Sequence, residues 1–150
     1  MDYKMWVLQG HYSGSRNFTF EGLEAAKNRR LAWRERIAMC HQGIGDESEG
    51  AYERVLAAVG ENLNSAEAFA IIDNSQLSLD DWARIDELFG LKLIEDTPEV
   101  PEEVHELLGE RAEARSNKDF AKSDEIRDKL ADLGVGVKDT PDGQVWVYLK

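Results

Sequence analysis

The sequence predicts a mainly α protein, an antiparallel helical bundle followed by a small α+β module made of a helical hairpin and a carboxy-terminal β-hairpin. Three observations carry this: successive stretches with helical spacing of apolar residues, a break that holds two of the three prolines, and a change to period two at the end. A chain of 150 residues and 17.0 kDa has the size of one ordinary domain, or of two small ones, and can bury a core without staples.

The first helix is expected over residues 19–42. There Phe20, Leu23, Leu31, Ile37 and Met39 run among Lys27, Arg29, Arg30, Arg34 and Arg36 up to Gly43. Helical patterns follow at residues 47–59 (Tyr52, Val55, Leu56, Val59), 66–72 and 79–89 (Trp82, Ile85, Leu88, Phe89). Asn64 or Ser65 and Ser78 are suited to cap amino termini, and Gly90 to stop a helix. The segment DTPEVP, residues 96–101, divides residues 1–96, the bundle, from residues 101–150, the module. Beyond it, residues 102–116 and 119–133 read as two helices broken near Ser116 and Asn117, the second ending at Gly134. Val135 and Val137 then alternate, Pro141-Asp142-Gly143 supplies turn chemistry, and Val145, Trp146, Val147 and Tyr148 are strand formers.

Composition excludes several classes. One cysteine, Cys40, excludes an intrachain disulfide and a zinc site of several thiolates, and fits the reducing cytoplasm. No apolar run reaches the roughly 20 residues of a membrane span, and MDYKMWVLQGHY lacks the pattern of a signal peptide. A formal charge of −12 argues against a general binder of DNA or RNA. The charge is uneven: residues 1–42 hold seven basic and four acidic side chains, residues 43–110 three and eighteen, and residues 111–150 eight of each. The acidity sits in the middle, and both ends can approach a polyanion.

Familiar catalytic signatures are missing: no glycine-rich phosphate loop, no nucleophile elbow, no Cys and His cluster with metal spacing. Cys40 beside His41 invites a thiolate and imidazole pair, but helix neighbours diverge by about 100°, so Cys40 reads as a small buried or half-buried helix residue. The carboxylates between Asp46 and Glu110 read as a solvated helical surface.

The segment ERAEARSNKDFAKSDEIRDKLADLGVGVKDTPDGQVW, residues 110–146, resembles the end of cysteinyl-tRNA synthetases. It shares their Arg-rich helix, Lys-Asp-aromatic step, Asp-x-x-Arg-Asp-x-Leu helix, Leu-Gly, short strand, Asp-x-Pro-x-Gly and tryptophan. GHYSGSRNFTFEGLEAAKNRRLAW at residues 10–33 and NLNSAEAF at residues 62–69 resemble two upstream blocks of the family. Gly14 stands where an Arg-Ser pair is usual, and Phe120 replaces a more common tryptophan.

The resemblance implies recognition of the tRNA(Cys) anticodon by base-edge hydrogen bonds and aromatic stacking, the usual way an RNA loop is read. By position the readers are Arg115, Phe120, Asp124 and Asp139. Arg115 offers a donor fork, Phe120 a stacking face, and the two carboxylates acceptors for exocyclic amino groups. The basic helix spreads its charges over more than one face, so two readings stay open for Arg29, Arg30 and Arg34: ion pairs with the acidic helices, or contacts by one or two of them to the tRNA backbone. No catalytic residue and no metal ligand fall in this sequence; ATP and zinc belong to the family's catalytic domain, expected in cis or in trans. From the residues alone, Phe120 also suits a core position between two helices, Arg115 a surface ion pair, Asp124 a helix-surface charge and Asp139 a turn. Trp146 suits a core anchor. Two other functions stay open: a cysteine ligase with a small-molecule acceptor, disfavoured by the intact tail, and a stand-alone helical protein-interaction module.

Overall fold

The computed structural model describes residues 1–10, 17–61, 63–141 and 143–149. His11, Tyr12 and Gly14 of the upstream block, Asn62 of the middle block and Asp142 of the turn lie outside the described residues. Among the described residues there are seven helices and one two-stranded sheet. The chain divides into two compact units, Met1–Thr97 and Pro98–Lys150. None of the described helices is long and apolar enough to cross a membrane.

The first unit is all helical: α1 (Asp2–Leu8), α2 (Phe20–His41), α3 (Ala51–Gly60), α4 (Ser65–Asn74) and α5 (Leu79–Phe89). α1 packs on α2, α3 on α4, and α5 against both α2 and α3. The short α1 is not expected from the sequence. Its seven residues are too few to show a period, and burial of Met5 and Trp6, with Asp2 ion-paired to Arg30, holds it. The start of α3 is also later than residue 47, because Gly50 adopts a left-handed conformation (φ 69°) and supplies the break.

Local chemistry sets the other ends. Thr19 Oγ1 accepts from the Gly22 amide at the start of α2, and the Asn64 side chain accepts from Glu67 at the start of α4. Ser78 and Asp81 form a reciprocal capping box on α5, whose far end stops at Gly90 in the left-handed region (φ 59°, ψ 46°). Asp86 then accepts from the amides of Leu91 and Ile94, which pins the following loop.

The core of this unit is aromatic. Trp33 meets Phe69 edge-on at 5.0 Å and lies 5.8 Å from Trp82, and Phe69 meets Phe89 at 5.1 Å. Trp33 Nε1 donates to Asp73 at 2.7 Å, so its one polar atom is satisfied. Arg36 lies over the Trp82 ring and donates to the carbonyls of Ile72 and Ser75, which would otherwise be orphaned at the end of α4. The buried face of α2 is Ala26, Trp33, Ile37 and Cys40; Phe20, counted in the apolar pattern, is 82% exposed.

The second unit holds α6 (Glu102–Ser116), α7 (Phe120–Asp132), β1 (Val135–Thr140) and β2 (Gly143–Tyr148). α6 packs on α7, and α7 contacts β1. The strands are antiparallel, with Val137 opposite Trp146, Asp139 opposite Gln144 and Thr140 opposite Gly143. Val104, Leu108 and Ala114 of α6, Ile126 and Leu130 of α7, and Val135, Val145 and Trp146 are buried. Trp146 is therefore the core anchor that its position suggests. One polar side chain shares the apolar stripe of α6: Arg111, 1% exposed.

Candidate nucleic-acid interface

In the second unit, the last turn of α6 and the turn end of the hairpin bring Arg115 and Asp139 together. Arg115 sits in the last turn of α6, and the chain leaves that helix through Asn117 and a left-handed Lys118 (φ 59°). Asp119 then caps α7, accepting from the Lys122 amide. This places Phe120 at the first position of α7 and Asp124 one turn later, on one face of the helix. Phe120 is 60% exposed, so it is not the core residue that its apolar character also suited.

Asp139 is a strand residue of β1 rather than a turn residue, because the hairpin pairs through Thr140 and Gly143 beyond it. Its carboxylate accepts from both terminal nitrogens of Arg111, at 2.9 and 3.0 Å, and Arg115 approaches the same group at 3.4 Å. Hydrogen bonding from Arg111 holds the Asp139 carboxyl below the ordinary aspartate value, against the opposing effect of desolvation, with smaller help from the charges of Arg111, Arg115 and Arg127. Asp139 is thus a fixed, ionised acceptor at neutral pH.

Gln144, directly across from Asp139, accepts from Arg111 through Oε1 at 2.8 Å and donates through Nε2 to the Leu108 carbonyl. Arg115, Asp139 and Gln144, with Ala112, Thr140 and Gly143, line a pocket of about 220 Å³. That is below the roughly 300–1,000 Å³ of a small-molecule site.

Arg115 and Asp139 are therefore brought together. Asp124 is exposed and pairs with Arg127 at 3.6 Å, and Arg127 is near enough to lower Asp139. Asp124 and Phe120 share a face of α7, and neither lines the pocket. Sequence reasoning missed Arg111, Arg127 and Gln144. Arg111 reads as one more charged residue of a charge-rich helix, and its partner lies 28 positions away.

The three arginines expected on a tRNA backbone are engaged within the first unit. Arg29 pairs with Asp73 at 3.1 Å, Arg30 with Asp2 at 2.6 Å and Asp96 at 3.3 Å, and Arg34 donates to the Thr97 hydroxyl and the Asp96 carbonyl. Cys40 is buried and donates to the Leu77 carbonyl; burial, then the charge of Asp46, pushes its thiol up, the reverse of what a nucleophile needs. His41 instead meets the Thr97 carbonyl at 3.0 Å.

Residues 97–146 match the family described as the cysteinyl-tRNA ligase anticodon binding domain. Over 95% of its length the chain is 31% identical to a cysteine–tRNA ligase of Wolinella succinogenes and 35% identical to cysteine–tRNA ligase 1 of Burkholderia lata, covering 36% and 32% of those proteins. A stretch of 43 residues is 70% identical to the cysteine–tRNA ligase of Maridesulfovibrio salexigens, 29% of this chain and 9% of that protein. The chain thus spans about a third of the length of the relatives it matches, in their carboxy-terminal part. It belongs to the cysteine–tRNA ligase family, as a counterpart of that carboxy-terminal part and its anticodon-binding domain.

Proposed function

We propose that the second unit reads the anticodon of tRNA(Cys), and that the chain serves as the tRNA-binding part of a cytoplasmic cysteine–tRNA ligase. The catalytic part, in cis or in trans, would use ATP and zinc to join cysteine to that tRNA. The observation that carries this reading is the coincidence of the anticodon-binding match with a unit whose Arg115 and Asp139 meet in the lining of one small pocket.

The chemistry fits an unstacked RNA loop. Asp139 accepts from exocyclic amino groups, Arg115 donates to a base edge or a phosphate, Asp124 adds a second acceptor, and Phe120 offers a face worth about 1–3 kcal/mol per stacked base. Carboxylates in the site repel phosphates, so base contacts carry the selectivity while affinity stays modest. Arg29, Arg30 and Arg34 are secondary backbone contacts in this proposal. Arg29 exchanges partners more readily than Arg30, since its side chain is 33% exposed against 13%.

Base-specific chemical probing of tRNA(Cys) tests the reading. Adding the chain protects the Watson–Crick edges of the three anticodon bases, and Phe120→Ala removes protection from the base that stacks on it. Protection elsewhere on the tRNA with an unprotected anticodon would overturn the proposal.

A further inference from the structure

Arg111 occupies a position where helix periodicity calls for an apolar side chain. Val104, Leu108 and Ala114 are its neighbours on the buried stripe of α6, and it is as buried as they are. Burying a guanidinium carries a large desolvation cost, and a well-packed apolar residue is often as good or better for stability. The cost here is not fully offset, because the buried Nε of Arg111 has no hydrogen-bond partner. What the buried charge delivers is directional. Its two terminal nitrogens grip both oxygens of Asp139, while one of them also fixes the Gln144 carboxamide, itself tied to the Leu108 carbonyl.

The geometry points to Arg111 as the positioning residue of the site: a buried fork that fixes the Asp139 carboxylate at the pocket rim as an acceptor for one anticodon base. This rests on the anticodon-reading proposal above and adds a division of labour to it. Asp139 has one end of its partnership in the core and the other in the open, since its own side chain is 39% exposed. Two arginines touch it in different circumstances. Arg111 cannot leave without uncovering the core, whereas Arg115 is 42% exposed, lies at a longer 3.4 Å, and is free to turn toward an incoming base or phosphate. A carboxylate has about four acceptor positions, so the Arg111 fork leaves room for a base amino group. A lysine in place of Arg111 would keep the charge but lose the two-point grip.

Binding of the full chain to tRNA(Cys) and to three variants, each with one anticodon base changed, tests the inference. Asp139→Ala identifies the base that depends on Asp139. Arg111→Met then lowers discrimination at that base by about five- to a hundredfold, and leaves discrimination at the other two within about twofold. Arg111→Lys recovers part of the loss. As a second readout, the Asp139 carboxyl of Arg111→Lys, followed by nuclear magnetic resonance through a pH titration, ionises at higher pH than in the wild-type chain. That comparison stands even if Arg111→Met fails to fold. Unchanged discrimination in a folded Arg111→Met, an equal loss at all three bases, or an unmoved Asp139 titration in Arg111→Lys would each overturn the role of Arg111. A wild-type chain that discriminates at no base would overturn the anticodon reading itself.

Discussion

Asp139 and Cys40 titrate in opposite directions from their ordinary values, and each gives a measurable consequence. The native Asp139 carboxyl is depressed, chiefly by hydrogen bonding from Arg111. A depressed carboxyl contributes stability in full above the ordinary aspartate pKa of about 3.9, and that stability is lost as pH falls through the lower native value. Asp139→Asn is therefore less stable than wild type at neutral pH, and the gap closes on acidification below that native value, as read by chemical unfolding at a series of pH values. Cys40 is raised by burial, so its thiol remains protonated at pH 8 in the native chain. A disulfide reagent modifies it slowly in buffer and rapidly in denaturant. Equal rates would show that Cys40 is open to solvent.

At the scale of elements, the parts set by local chemistry were legible in the sequence. α5 and α6 have the bounds their patterns give, since Ser78, Gly90 and the proline before Glu102 act on their own neighbours. The capping box predicts that Ser78→Ala costs about 1 kcal/mol and Ser78→Gly only a few tenths. Gly90 is in the left-handed region, where an L side chain costs about 1–2 kcal/mol, so Gly90→Ala also lowers the melting temperature. Equal melting temperatures for Ser78→Ala and wild type would show that the cap contributes nothing.

The elements that escaped depend on distant partners. α1 exists because Trp6 and Met5 find cover and Asp2 finds Arg30, 28 residues on. The same distance hid Arg111. That the arginines of α2 can pair with acidic helices is legible in the charge pattern, but which carboxylates they meet, Asp2, Asp73 and Asp96, is not.

Across the whole molecule, a charge of −12 coexists with a site built from arginines and carboxylates together. Phosphate contacts weaken steeply with salt, whereas base-edge and stacking contacts do not depend on counterion release in the same way. Recognition that works through Asp139, Arg115 and Phe120 should therefore lose affinity with salt and keep its selectivity.

Equilibrium binding of the chain to tRNA(Cys), beside the same tRNA with a changed anticodon, over a low-to-moderate salt series, tests this most directly. Anticodon reading gives affinities that fall together while their ratio holds, and a ratio that collapses in Asp139→Ala. No preference at any salt, or a preference that disappears as salt rises, would contradict it.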